Sequence, residues 1–155
     1  MYPEINIREA HTDDLSILVE NNLALAKETE SLNLDKDVLR KGIEQALSRK
    51  ECHYFVAVIS GKVVGQTMIT YEWSDWRNGR LWWIQSVYVK QEYRRRGVFS
   101  ELYSYVIDCA KRTTKICGIR LYVECDNIVA QKTYAHLGME ESKYLMYEMD
   151  LMSGN

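Results

Sequence analysis

The stretch Gln85-Ser-Val-Tyr-Val-Lys-Gln-Glu-Tyr-Arg-Arg-Arg-Gly-Val-Phe-Ser100 decides how this chain is read. It opens as an apolar, β-branched strand and passes through Arg94, Arg95 and Arg96 to Gly97. It then continues as a helix in which Val98, Leu102, Tyr105, Val106, Cys109 and Ala110 recur at helical spacing. A helix start exposes unpaired N–H groups and partial positive charge. Glycine lets that backbone approach a phosphate closely, and arginine adds bidentate pairing. The segment is therefore a candidate anion site; a solvated basic loop with a glycine at the helix start is the plainer reading.

Outward from this junction, the pattern of elements is mixed. Upstream, Ile5 to Glu9 reads as a strand, and Thr12 and Asp13 offer a cap for a helix carrying Leu15, Leu18, Val19, Asn22, Leu23 and Ala26. A polar break over Glu28 to Asn33 precedes a second amphipathic helix from Asp35 to Arg49. Two β-rich runs, Tyr54 to Ser60 and Lys62 to Trp73, meet at Gly61-Lys62 as a hairpin, and Leu81 to Val89 follows a turn signalled by Asn78-Gly79. Downstream of the Gly97–Lys115 helix come a strand over Ile119–Glu124, a helix over Asn127–Leu137 and a last strand over Tyr144–Asp150. Hairpins followed by a β-α-β unit predict an α/β (α+β) fold, a mixed, mostly antiparallel central sheet flanked by helices. No repeat or linker interrupts it, so one domain over residues 1–155 is expected.

Composition narrows the function classes. With 46% apolar residues, one Pro and eight Gly, the chain is neither disordered nor collagen-like. Twenty basic against twenty-two acidic residues give a formal net charge of −2, which offers no global support for nucleic-acid binding. No apolar run approaches the roughly 18 residues of a membrane span, and the N-terminal MYPEINIREA has no signal-type apolar core, so a cytoplasmic protein is expected. Cys52, Cys109, Cys117 and Cys125 form no C-x-x-C pair, and His11, His53 and His136 show no metal-like spacing. We expect reduced, structural thiols and no metal.

A second informative run is Asn127-Ile-Val-Ala130-Gln-Lys-Thr-Tyr134-Ala-His-Leu-Gly138-Met139. Asn127 is a good N-cap, Ala130 and Tyr134 share a helix face, and Gly138 suits the helix end.

Arg94-Arg95-Arg96-Gly97-Val98-Phe99 resembles the Q/R-x-x-G-x-G/A signature of the GNAT superfamily of N-acetyltransferases, and the second run resembles that family's N-x-x-A-x-x-x-Y-x-x-x-G helix. The order of elements fits along nearly the whole chain. The resemblance implies acetyl-CoA as cofactor, with its pyrophosphate cradled by Arg94 to Ser100. It implies that the main chain of Val87, Tyr88 and Val89 pairs with the pantetheine arm, and that Asn127, Ala130 and Tyr134 contact the cofactor. Phe99 departs from the pattern by filling a position that is usually small. The implied reaction is direct attack of an amine on the thioester, with a backbone N–H near Val87 available to the oxyanion and Tyr134 as acid to the thiolate. A non-catalytic acyl-CoA-binding module is the alternative.

The acceptor side rests on geometry. Leu81 to Gln85 carries no carboxylate, but hairpin pairing places Glu72 beside the start of the central strand, with Asp75 in the nearby turn. Glu72 is thus the candidate base or amine-binding carboxylate; a solvated rim charge is its plainer reading. All four tryptophans fall between Trp73 and Trp83. Trp73, Trp76 and Trp83, with Glu28, Asp75 and Gln85, could line an acid-rich aromatic mouth for a cationic small-molecule amine. The same aromatics could instead form a homodimer face.

Overall fold

The computed structural model describes residues 3–152. The chain forms two compact units, Met1–Tyr122 and Val123–Asn155. The first contains β1 (Asn6–Glu9), α1 (Leu15–Glu30), α2 (Lys36–Ser48), β2 (Cys52–Ile59), β3 (Lys62–Ser74), β4 (Gly79–Val89), α3 (Val98–Arg112) and β5 (Ile116–Arg120). The second contains α4 (Ile128–His136).

The strands form one sheet in the order β1-β2-β3-β4-β5. Each neighbouring pair is antiparallel except β4 and β5, which are parallel and joined through α3. This is the expected mixed, mostly antiparallel class. Both faces of the sheet are covered, so the strands read as nearly continuous apolar runs. Phe55, Ala57, Ile69, Trp82 and Ile84 pack with Leu102 and Val106 of α3. Tyr54 and Val56, one residue out of phase, pack with Leu18 and Val19 of α1 and Ile43 and Ala46 of α2. Gly65 matters to this packing: a Cβ there would lie 2.9 Å from Val98 Cγ1, so glycine lets the first turn of α3 settle onto β3.

Several local expectations are corrected. The strand expected over Tyr144–Asp150 is not formed among the described residues. Its run, Tyr-Leu-Met-Tyr-Glu-Met-Asp, is apolar at every position up to Tyr147 and alternates only over its last residues, so its strand periodicity is short. The fifth strand is Ile116–Arg120 rather than Ile119–Glu124. The break expected from Glu28 is helical through Glu30, and Ser31 ends α1 in the left-handed region with φ 52°. Thr12 and Asp13 do not cap α1. Instead, the Asp14 carboxylate accepts the His11 N–H at 2.7 Å and two hydrogen bonds from the Arg8 guanidinium at 2.8 and 3.0 Å. The first hairpin turns on Ser60 and Gly61, both left-handed, rather than on Gly61-Lys62.

Candidate active site

The central strand carries an irregularity at the middle of the proposed site. Gln66 pairs with Tyr88 but Met68 pairs with Gln85, so β4 spends Ser86 and Val87 where β3 spends only Thr67. This is a β-bulge, which bends the strand and takes its extra residue out of the ladder. Ser86 adopts φ 51°, a conformation that is uncommon for a serine. Side chains hold the distortion in place. Gln66 Nε2 donates to the Ser86 carbonyl and Thr67 Oγ1 to the Gln85 carbonyl, each at 3.1 Å. Gln66 and Thr67 are fully buried. The sequence reading missed both, because a lone Gln-Thr pair inside a strand gives no local signal.

The other edge of β4 is open. β5 pairs with it from Arg80↔Ile116 to Trp83↔Arg120. From Ile84 to Val89 no strand lies on that side among the described residues. An open edge presents backbone N–H and C=O groups to an extended partner. Val87, Tyr88 and Val89 lie there, immediately before the arginine loop.

In that loop Arg95 and Gly97 are both left-handed, with φ 62° and 80°. Alternation of this kind curls backbone N–H groups into an anion-binding concavity. Glu101 N–H is bonded back to Gly97 O at 3.0 Å, so the intrahelical ladder of α3 begins there and Val98 to Ser100 form its first turn. Arg94 is fixed on three sides: Nε donates to Val89 O at 2.8 Å, the guanidinium lies 5.4 Å from the Tyr88 ring centre, and Nη2 stands 3.1 Å from Glu28. Arg96 lies over Tyr93 at 5.5 Å. Phe99, in the usually small position, is tilted against Tyr103 one turn further along, their ring centres 6.1 Å apart. These donors fit a diphosphate.

Glu28 is therefore placed differently from its expectation. It belongs with the arginine loop, not with the mouth around Glu72. Burial raises the Tyr88 phenol above its ordinary pKa, and the neighbouring Glu28 carboxylate adds to that rise.

At the opposite end of β4, Glu72 pairs with Leu81, as the hairpin geometry predicts. Its Oε1 accepts the Trp83 indole N–H at 2.7 Å, and Arg120 Nη1 lies 3.1 Å from Oε2. Thr70 is on the same sheet face and receives a hydrogen bond from Gln85 Nε2. Trp83 also meets Tyr122, ring centres 6.2 Å apart. Glu72, Trp83 and Gln85 are thus brought together, and Arg120 is an unforeseen member. The tryptophans do not form one mouth. Trp82 is in the core beneath α3, Trp73 shares that opposite face, and Trp76 is 92% exposed in the turn near Asp75. Alternation along the two strands separates Trp73 and Trp82 from Trp83 and Glu72.

In the second unit, Asn127 Oδ1 accepts the Ala130 N–H at 3.1 Å, the expected N-cap. Ala130 and Tyr134 lie one turn apart on α4, and Gly138, with φ 95°, follows its end. Burial pushes the Tyr134 phenol above its ordinary pKa of 10, which keeps it protonated at neutral pH. The cysteines are free thiols, Cys52, Cys109 and Cys117 half-buried and Cys125 exposed. Among the described residues no cluster of metal-ligating side chains occurs and no helix is long and apolar enough to cross a membrane.

A central strand bulged at Ser86 and Val87, its edge without a strand partner beyond Trp83, and a left-handed basic loop feeding a helix define a protein of the acetyltransferase class. The chain belongs to the acetyltransferase (GNAT) family, whose model matches residues 19–139. It is 50% identical to a possible acetyltransferase from Clostridium difficile 630, covering 96% of this chain and 98% of that one with a TM-score of 0.90. The fold is shared more distantly with an aminoglycoside N-acetyltransferase in complex with CoA, at 19% identity, 97% of each chain and a TM-score of 0.79. It is shared also with a ribosomal-protein-alanine N-acetyltransferase from Brucella melitensis biovar Abortus 2308, at 17% identity, 96% and 99% coverage and a TM-score of 0.77. No curated protein matches the chain.

Proposed function

We propose that this protein is an acetyl-CoA-dependent N-acetyltransferase acting on a small-molecule amine by direct attack, within one domain spanning residues 1–155. The observation that carries the reading is the continuity of the open, bulged edge of β4 with the donor-rich start of α3. An extended ligand ending in a diphosphate matches both parts. Bound acetyl-CoA supplies an activated thioester acyl group.

The chain's own residues then have distinct tasks. The N–H groups of Val98 to Ser100, with Arg94, Arg95 and Arg96, bind the diphosphate. The main chain of Val87, Tyr88 and Val89 holds the arm, and a bulge N–H near Val87 donates to the oxygen on which charge develops. By resemblance, Asn127, Ala130 and Tyr134 contact the cofactor, and Tyr134 Oη donates its proton to the departing sulfur. Glu72, Trp83 and Gln85 orient the amine, with Asp75 at the rim. Both Glu72 oxygens already accept hydrogen bonds, which favours attraction of the ammonium over proton abstraction; water takes the amine proton. No metal is assigned a task. We place the protein in the cytoplasm, and the exposed Trp76 supports a homodimer contact at the hairpin tip.

Calorimetry with acetyl-CoA, followed by a thiol-release assay over an amine panel with mass detection of products, tests this reading. Stoichiometric binding and an acetylated amine are expected. Binding without thiol release from any amine favours the non-catalytic acyl-CoA module, and no binding refutes both.

A further inference from the structure

On the α3 face, where β5 begins, a cavity of about 380 Å³ lies outside the site described above. Tyr71, Trp73, Arg80, Trp82, Thr114 and Lys115 line it. The tryptophan-rich hairpin was expected to offer aromatic rings beside acids. Here the rings stand beside two cations.

The two residues are joined through the backbone. Arg80 N–H donates to Lys115 O at 2.8 Å, and Lys115 is left-handed, with φ 65°. Gly79 permits this approach, because a Cβ there would lie 2.8 Å from Lys115 O. Neither Arg80 nor Lys115 has an ion-pair partner among the described residues. The Arg80 guanidinium lies 5.6 Å from the Tyr71 ring centre. Trp73 is 56% exposed, and the buried Trp82 indole N–H has no hydrogen-bond partner. The Tyr71 hydroxyl is bonded to His53, whose other ring nitrogen faces Glu9 at 3.7 Å. Burial pushes the Tyr71 phenol up to about 12, so it adds no negative charge at neutral pH.

Two adjacent, unpaired cations repel an ammonium group and attract an anion, while the indole and phenol faces offer a flat apolar surface. We propose that this cavity is a second ligand site, selective for a planar aromatic ring bearing an anionic group. None of its residues serves the proposed acetyl transfer, so the two readings stand or fall separately.

The test titrates 2-naphthoate and its uncharged analogue 2-naphthamide into the full chain, following tryptophan fluorescence and heat. The naphthoate is expected to bind at least tenfold tighter than the amide. It should weaken at least tenfold in Arg80→Ala/Lys115→Ala and in Trp73→Ala, and keep its affinity in Arg94→Ala/Arg96→Ala. Equal affinity for the two probes, or unchanged naphthoate binding in the Arg80/Lys115 variant, overturns the site. Loss of binding in the Arg94/Arg96 variant assigns the anion to the α3 loop instead and also overturns it. A dimer by sedimentation that Trp73→Ala dissociates, with no naphthoate binding, gives the face to a second copy and does the same.

Discussion

Arg94 and Glu28 are joined by an ion pair of 3.1 Å that ties the last turn of α1 to the loop before α3. In the free protein the carboxylate occupies the guanidinium that we assign to a diphosphate. Both side chains are partly exposed, so the pair itself is worth at most about 1 kcal/mol. Glu28→Gln removes a competitor and a repelling charge, and calorimetry should show CoA binding up to roughly fivefold tighter. Arg94→Ala should weaken it by about tenfold or more, as a charge-assisted hydrogen bond contributes ~1.5–3 kcal/mol. Unchanged affinity in Arg94→Ala would remove this arginine from the site.

Gly97 is needed for its backbone rather than for space. A Cβ there would meet no atom within 4 Å, but the residue sits at φ 80°. A non-glycine residue in that region costs about 1–2 kcal/mol. Gly97→Val should lower denaturation stability by that amount and weaken CoA more strongly, because a relaxed loop turns its N–H groups away. A CoA affinity equal to wild type in a folded Gly97→Val protein would contradict the loop's proposed role.

Tyr134→Phe deletes a proton donor with little change in volume. Turnover should fall on the order of 10- to 1,000-fold while the acetyl-CoA dissociation constant holds. Wild-type turnover, with chemistry shown to limit the rate, would make Tyr134 a packing residue.

Glu72→Gln separates two roles on the acceptor side. A carboxylate that attracts the ammonium raises KM and leaves kcat in place; a base lowers kcat most at low pH. The existing bonds to Trp83 and Arg120 lead us to expect the first result. If neither constant moves, Glu72 serves only to brace three strands.

Asp14 gives a stability test away from the site. Its hydrogen bonds with Arg8 pull its pKa below the ordinary 3.8, and the His11 N–H assists. The folded-state value is depressed, so the stabilisation is complete above the ordinary aspartate range and is lost as pH falls through the lower folded value. Asp14→Asn should cost about 1–3 kcal/mol at pH 7 by urea denaturation. The gap should narrow below about pH 4, where the unfolded wild type takes up the proton first. A gap independent of pH would assign the effect to packing alone.

The sequence by itself determined the parts whose signals are local. Helical periodicity and Gly97 marked the start of α3, Asn127 and Gly138 bounded α4, and the β3–β4 hairpin placed Glu72 opposite Leu81. Each depends on residues a few positions apart, or on a turn that fixes register. Tyr144–Asp150 shows the limit of such signals, because alternation over only its last few residues suggested a strand that is not formed.

Tertiary structure decided what distant residues share. Glu28 and Arg94 are 66 positions apart in the chain, and only the packing of α1 beside the end of β4 makes them partners. The bulge depends on Gln66 and Thr67 reaching across to Ser86 and Gln85, which no pattern within either strand announces. Strand alternation placed Trp73 and Trp83 on opposite faces, so one aromatic cluster in sequence became two environments in space. The physical reason is common to all three. A side chain's chemistry is fixed by its type, but its electrostatic partners are fixed by register and packing, which belong to the assembled sheet.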